Sequence, residues 1–278
     1  MEITQELAGR FRLETSGGER GYIDHGWNEN LILNAGIDRL LSTVIGTTLS
    51  FISVGSSSVS VSPTQTQLLN KIATTNRSTK ESYGYSDEGF GFSRLSVQFD
   101  QGAAAGNISE LGIGWDVSGV LFSRALVVDG AGLPTAITVL PDEFLTVTYE
   151  LRRWWIYPPA VELSYFDQGI EKTTLVSPIE TASTTPTGLG AAPINGWLGF
   201  DGATVTRGAR SDGVLNFKIN YALEQGNPRI STVIAGASTP ATNLFPAGSG
   251  FRFTPPIDKT AEFTVSLDCQ VTFKRRGE

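Results

Sequence analysis

Strict alternation of apolar and polar residues near the C-terminus restricts this part of the chain to one kind of secondary structure. Six apolar residues alternate there with five polar ones: Phe263, Val265, Leu267, Cys269, Val271 and Phe273 against Thr264, Ser266, Asp268, Gln270 and Thr272. Successive side chains of a β-strand point to opposite faces, so a period of two predicts a strand. With one face apolar and the other polar, it is a half-buried strand of the kind that antiparallel sheets contain.

The same period recurs along the chain. Residues 145–151 and 215–223 repeat it clearly, and shorter alternating runs occupy residues 10–14, 95–99, 110–115 and 120–128. Hydrophobic residues make up 40% of the 278 residues, which is enough apolar material for a sizeable core. We therefore predict an all-β fold.

Two segments depart from the strand pattern and predict short helices. In "NLILNAGIDRLLS", Asn34 is placed to cap a helix whose apolar residues recur at three- and four-residue spacing: Ile37, Leu40, Leu41 and Val44. In "SPTQTQLLNKIA", Ser62, Pro63 and Gln65 form a capping-box pattern. The second helix would bury Leu68, Leu69 and Ile72.

A change of character after residue 157 predicts a domain boundary. Pro158 and Pro159 follow a strong strand and cannot continue a sheet ladder, and residues 173–193 are rich in Thr, Ser, Pro, Gly and Ala. We expect two antiparallel β-sandwich-like domains in tandem, with residues 1–157 carrying both helices and residues 158–278 forming the second module.

The residues that usually carry catalysis are scarce. The only histidine, His25, lies in a turn-like stretch and is interpreted as a loop residue, and the only cysteine, Cys269, belongs to an apolar face. One histidine and one cysteine exclude a zinc site of ordinary ligand type. The adjacent acids Asp87-Glu88 and Asp142-Glu143 are interpreted as turn formers, because glycoside hydrolysis needs carboxylates that face each other across a cleft. We expect no enzyme activity, no cofactor and no metal.

Charge and hydropathy limit the partners. The net charge is −7 and no basic stripe is present, which disfavours nucleic-acid binding. No basic segment followed by an apolar one marks a secretory signal at the N-terminus, and no run of about 18 apolar residues predicts a membrane helix. We expect a protein made in a cytoplasm and not inserted in a membrane.

Aromatic side chains cluster in two places and predict contact surfaces. Such side chains carry some 150–250 Å² each, so they are costly to leave in water. The glycine-rich stretch "ESYGYSDEGFGFSR" is interpreted as packing on the sheet or forming a subunit contact, with ligand stacking as the alternative. The aromatic run before Pro158 is expected to hold the domains together or to form a subunit interface. The candidate interface residues are Tyr83, Tyr85, Phe90, Phe92, Trp154, Trp155 and Tyr157.

A set of motifs within residues 1–155 resembles a bacteriophage virion protein type, the tail fibre or tail protein. The features are "N-L-I-x-N-x-G-x-D" (residues 30–38), "V-G" (54–55), "G-N-I-S-E-L-G" (106–112), "L-F-S-R-A-L" (121–126) and a final "T-V-T-Y-E-L-R" (146–152). Residues 158–278 match no pattern of this type. In this comparison, "NLILNAGIDRLLS" is the strand-to-helix entry of a phage sandwich module.

The resemblance implies a non-catalytic structural component of a phage tail, in a fibre, the baseplate or the neck. It implies assembly in the infected bacterium's cytoplasm, other virion tail proteins as partners, and a homo-oligomer such as a trimer or ring. Residues 1–157 would then dock to the virion, and residues 158–278 would make subunit or external contacts. Two alternatives stay open: a receptor-binding protein whose C-terminal domain recognises a host surface glycan or protein, and a capsid decoration protein.

Overall fold

A computed structural model of the chain describes residues 2–40, 49–180, 204–221, 229–235, 249–258 and 264–277. Strands account for 63% of the structure and helix for 4%, so the predicted all-β class is confirmed. In the described residues, thirteen pairs of neighbouring strands run antiparallel.

The chain divides into two compact units. The first, called here the N-terminal unit, comprises Glu6–Trp154 and Lys274–Glu278. The second, the C-terminal unit, comprises Met1–Gln5 and Trp155–Phe273. Each unit therefore contains residues from both ends of the chain. The tandem domains 1–157 and 158–278, and the roles given to them, stay predictions.

The N-terminal unit is sandwich-like and contains one strand that takes part in two sheets. In hydrogen-bonding order its strands run β4-β3-β8-β9-β2-β1, and β11, β6 and β5 follow on from β1. Strand β2 pairs with β1 through residues 23–30 and then with β9 through Leu31 and Ile32. The strands are β1 (Glu2–Gly17), β2 (Ile23–Ile32), β3 (Phe51–Gly55), β4 (Lys71–Thr75), β5 (Ser78–Tyr85), β6 (Gly91–Gln98), β7 (Gly106–Ile108), β8 (Glu110–Gly114), β9 (Leu121–Leu126), β10 (Ile137–Val139) and β11 (Glu143–Ile156).

Alternation accounts for the core of this unit. The apolar residues of the run 145–151 all face inward on β11, and Phe11 packs its ring against that of Tyr149 at 4.9 Å between centroids. Strands β3, β8 and β9 contribute residues of a second buried set, among them Ile52, Leu111 and Phe122. Strands β7 and β10 form a separate two-stranded sheet.

The C-terminal unit contains a four-stranded sheet in the order β12-β13-β17-β16, and a second set in which β14, β15 and β18 are neighbours. The predicted strand near the C-terminus is confirmed: Leu267, Cys269, Val271 and Phe273 are buried on β18, and Phe263 lies outside the described residues. Burial raises the pKa of the Cys269 thiol to about 12, in agreement with its predicted core role. The strands are β12 (Val161–Asp167), β13 (Ile170–Glu180), β14 (Thr204–Ser211), β15 (Val214–Tyr221), β16 (Arg229–Ala235), β17 (Ser249–Asp258) and β18 (Val265–Arg275).

The first predicted helix is present and the second is not. Helix α1 (Asn34–Leu40) begins at the predicted residue and buries Gly36, Ile37 and Leu40, while Leu41 and Val44 lie outside the described residues. Residues 62–70 form an irregular loop, and Ile72 lies on β4, so the prediction of a second helix there is wrong. The capping-box contact itself forms, because the backbone N–H of Ser62 donates to Gln65 Oε1 at 2.9 Å.

Candidate functional site

The structure brings two of the predicted interface residues together. Phe90 and Trp154 pack with their ring centroids 5.0 Å apart, and the guanidinium of Arg276 lies 3.9 Å from the Trp154 ring centroid. Phe90 is buried and Trp154 is half-buried. For Phe90 the contact agrees with the interpretation that the aromatics of its stretch pack on the sheet, and the interface role expected of Trp154 stays a prediction.

The other predicted interface residues lie on strands β5, β6 and β11 or directly after β11. Phe92 is half-buried on β6, and Tyr83 and Tyr85 lie on β5, opposite Ser93 and Gly91. Trp155 is in β11 and Tyr157 follows its end, where it is half-buried. The side chains of Tyr83, Tyr85 and Trp155 lie outside what the structure describes. Interface roles for these residues stay predictions.

A buried glutamate on β11 gathers three arginines from three strands. Glu150 is fully buried; its Oε1 accepts hydrogen bonds from the Nε groups of Arg10 at 2.8 Å and Arg152 at 2.7 Å. Its Oε2 accepts one from Arg94, which lies directly across from Glu150 on β6. We call these four residues the Glu150 cluster. Burial opposes ionisation of Glu150, but the three arginines outweigh it and lower its pKa.

Each arginine of the Glu150 cluster also lies over an aromatic ring. The guanidinium carbon of Arg10 is 4.1 Å from the Trp27 ring centroid, that of Arg94 is 4.5 Å from Phe92, and that of Arg152 is 5.3 Å from Phe90. Cation–π contacts of this kind contribute about 0.5–1 kcal/mol when exposed and more when desolvated. The predicted aromatic residues Phe90 and Phe92 therefore orient arginines.

A second buried ion pair fixes the loop between β3 and β4. Arg124 on β9 donates from Nε and Nη2 to Glu110 Oε2 on β8, at 3.0 and 2.8 Å, and both side chains are fully buried. Glu110 also accepts the backbone N–H groups of Asn70 (2.8 Å) and Leu69 (3.2 Å).

The contacts of Arg124 explain why the second predicted helix is absent. Its Nη1 donates to Gln65 Oε1 at 3.0 Å and to the carbonyl of Val59 at 3.0 Å. The glutamine that would complete a capping box is therefore shared with the buried arginine. The amides of Leu69 and Asn70 bind a carboxylate rather than a preceding carbonyl of a helix.

The turn before β11 contains the hydrogen bonds that the interpretation of Glu143 as a turn former implies, since the amide of Glu143 donates to the carbonyl of Leu140 at 3.1 Å. Glu143 is a buried anchor, since Arg20 Nε donates to its Oε1 at 2.7 Å and the Leu140 amide to its Oε2 at 2.8 Å. The hydrogen bond from Arg20 is the main cause of its lowered pKa.

The interpretation of His25 as a loop residue is wrong. His25 is on β2, with its Nε2 3.0 Å from Thr15 Oγ1. Desolvation lowers the pKa of His25.

An edge of the C-terminal unit exposes apolar residues. Among the described residues β12 pairs only with β13, and every residue of Val161–Phe166 is exposed or half-buried. Val161 is 53% exposed and Phe166 66%, and Ile170 in the following turn and strand is 62% exposed. These residues, with Leu163 and Leu175, are called here the β12 edge. The aromatic pattern did not point to them, although Val161 and Leu163 alternate with Glu162 and Ser164 in the sequence.

Neither a metal site nor a membrane span is found in the part of the chain that the structure describes. There, no group of three or more His, Cys, Asp or Glu residues could hold a metal ion, and no helix is long and apolar enough to cross a membrane. Comparison of the chain with protein-family models, with curated proteins and with solved structures finds no match.

Proposed function

We propose that the chain is a structural component of a bacteriophage tail and acts through protein–protein assembly rather than catalysis. The exposed β12 edge carries this proposal. Among the described residues the outer backbone groups of β12 have no neighbouring strand. A row of unpaired backbone groups beside large apolar side chains is a template for pairing with another chain, and proteins that must stay monomeric normally protect it with charged side chains, proline or a bulge. Strand β12, with the sequence VELSYFD, has neither lysine nor proline, and Glu162 is its one exposed charged residue.

A second copy of the chain suits this edge. If two β12 strands pair antiparallel about Ser164, then Leu163 faces Tyr165, Glu162 faces Phe166 and Val161 faces Asp167. No like charges are opposed, and each acid meets an apolar or aromatic residue. An isologous contact of this kind closes with two-fold symmetry, which is the commonest symmetry of homo-oligomers. The same edge would equally accept a strand of another tail protein.

The virion role is supported by the resemblance of residues 1–155 to tail proteins. The motif residues Glu110 and Arg124 form the buried pair that holds the β3–β4 loop, and Gly36 of the "N-x-G-x-D" motif is buried in α1. The resembling positions thus have structural roles in a single sandwich-like unit. We infer that this unit docks to the virion and that the C-terminal unit makes subunit contacts.

Self-association can be tested with lysine on the β12 edge. We expect the purified chain to form oligomers by light scattering, and Val161→Lys/Phe166→Lys to shift the mass to the monomer. Val117→Lys is the matched control, because Val117 is an exposed apolar residue (67%) in a turn of the other unit. A wild-type chain that is monomeric, or a double variant that keeps the wild-type mass, would contradict self-association through this edge.

The virion role needs its own measurement. Antibody labelling of purified particles of the phage that encodes this chain should mark the tail. Label on the head surface would instead indicate a decoration protein, and absence from the particle would reject a structural role. Binding of the chain to host cells that are sensitive to the phage, but not to resistant ones, would favour the receptor-binding alternative.

A further inference from the structure

The Glu150 cluster contains more positive charge than its carboxylate can neutralise. Three arginines surround one carboxylate, and Glu29 lies opposite Arg10 on the neighbouring strand β2, which leaves one positive charge in excess on this face. Each guanidinium uses its Nε for Glu150, and within the described residues the Nη groups of these arginines have no hydrogen-bond partner. Two other arginines of the unit pair with carboxylates outside the cluster: Arg12 with Asp24, and Arg276 with Glu6. The excess is therefore local, in a chain whose net charge is −7.

The unused donors are held in fixed orientations. Glu150 restrains each arginine from one side, and the rings of Trp27, Phe92 and Phe90 restrain the guanidinium planes. All three arginine side chains keep solvent access, with exposures of 24% for Arg10, 40% for Arg94 and 16% for Arg152. A planar guanidinium with free Nη groups matches a carboxylate, and a restrained side chain loses little entropy when it binds one.

We propose that this face is a binding site for an acidic protein segment, whose carboxylates pair with the Nη groups of Arg10, Arg94 and Arg152. This inference goes beyond the proposed tail function and does not depend on it, since it names the chemistry of a partner from the arginines alone. The site lies on the polar face of β1, β11 and β6, where Thr148 and Ser96 add hydroxyl groups joined at 2.8 Å.

The spacing of the arginines favours a polypeptide. Arg10 and Arg94 lie on the strands either side of β11, and neighbouring strands are about 4.8 Å apart. Arg152 is two residues from Glu150, about 7 Å along β11. Acidic residues at alternate positions of an extended chain are also separated by about 7 Å. An acidic segment can therefore place successive carboxylates on different arginines of the cluster.

Two other classes of polymer, glycans and nucleic acids, fit this face less well. Sugars are commonly recognised by stacking on open aromatic faces, but the guanidinium groups already lie over these rings. A long phosphate polymer needs a continuous basic surface, and the net charge of −7 would repel it beyond this cluster.

Binding of a fluorescent poly-L-glutamate to the full-length chain tests the proposal, with polygalacturonate and poly-L-glutamine as comparison polymers. We expect poly-L-glutamate to bind, more weakly as salt increases, and Arg94→Gln to reduce the affinity about tenfold, as expected when one charged hydrogen-bonded contact is lost. Arg94→Lys keeps a positive charge beside Glu150 but lacks the planar fork, so we expect a smaller loss with a wild-type melting temperature. Arg77→Gln removes an arginine from an exposed pair with Asp100 and should bind like the wild type.

Several results would overturn the proposal. One is no binding of poly-L-glutamate at low salt, and another is preference for polygalacturonate, which would indicate an acidic glycan site. Equal losses in Arg94→Gln and Arg77→Gln would show that only the overall charge matters. Because none of these variants touches the β12 edge, a failure here leaves the oligomerisation test unaffected, and failure of that test leaves this one intact.

Discussion

Removing Arg124 should expose how strongly the buried Glu110–Arg124 pair supports the N-terminal unit. In Arg124→Met the apolar stem of the side chain is retained while the guanidinium is lost. Glu110 would then be a fully buried carboxylate whose remaining donors are backbone amides, those of Ser57, Leu69 and Asn70. The carbonyl of Val59 and the Oε1 of Gln65 would each lose a donor as well.

The expected cost follows from these contacts. Removing one partner of a buried ion pair costs about 3–5 kcal/mol of the free energy of unfolding, because an uncompensated charge is left behind. For a unit of about 150 residues this corresponds to a fall in melting temperature of roughly 6–20 °C. The double variant Glu110→Gln/Arg124→Met removes the stranded charge but leaves the loop amides with a neutral acceptor. We expect it to recover part of the loss and to remain about 1–3 kcal/mol less stable than the wild type.

Chemical denaturation and amide hydrogen exchange together measure this effect. The amides of Leu69 and Asn70 should exchange faster in Arg124→Met, whereas those of the core strand β11 should follow global stability alone. Arg77→Met is the control, since exposed ion pairs such as Arg77–Asp100 contribute about 0.2–1 kcal/mol. A loss below about 1 kcal/mol in Arg124→Met, or unchanged protection of Asn70, would refute the argument that this pair organises the β3–β4 loop.

Two further predictions concern packing and acid stability. Gly36→Ala should destabilise the unit by about 1–3 kcal/mol in denaturant unfolding, because a Cβ there would lie 2.3 Å from the carbonyl oxygen of Phe122. Gly130→Ala, where no atom lies within 4 Å of the added carbon, should change stability little, and equal effects of the two would contradict this reason. Glu143 and Glu150 both have pKa values below the ordinary 4.5, so the unfolded chain takes up protons first as the pH falls. Their stabilisation is present above pH 4.5 and is lost as the pH falls through the folded-state pKa values; in Glu143→Gln the free energy of unfolding should vary less between pH 5 and pH 3, and an unchanged slope would be inconsistent with the Arg20 contact.

The strands could be predicted from the sequence because alternation is a local property. The run 145–151 shows what alternation does not predict. Glu150 occupies a position on the polar face of this strand, and its side chain is nevertheless buried. What changes its environment is the meeting of arginines from β1, β6 and β11, and Arg10 is 140 residues away in the chain. No spacing in the sequence encodes such a meeting.

The second helix failed for a related reason. Its capping residues were identified correctly, and the Ser62–Gln65 contact forms as the motif requires. A cap starts a helix only if the following amides find their partners within the segment. In this chain Glu110 and Arg124, from strands that follow 40 or more residues later, bind the same loop and satisfy it without a helix. In helix α1 the first amides find a partner in the residue before it, because Gly36 and Ile37 both donate to the carbonyl of Leu33, and the helix begins where the sequence predicts.

The Glu150 cluster and the β12 edge differ in their position relative to the residues that resemble tail proteins, and we infer different roles for them from this difference. Glu150 and Arg152 of the Glu150 cluster lie in the motif "T-V-T-Y-E-L-R", and Arg10 and Arg94 lie within residues 1–155, over which the resemblance to tail proteins extends. The β12 edge begins at Val161, beyond the resembling part. A docking contact shared by a protein type should use residues that the type has in common, whereas a contact particular to one protein should use residues outside them. We therefore expect the Glu150 cluster to bind a virion protein, and the β12 edge to form the contacts among copies of this chain.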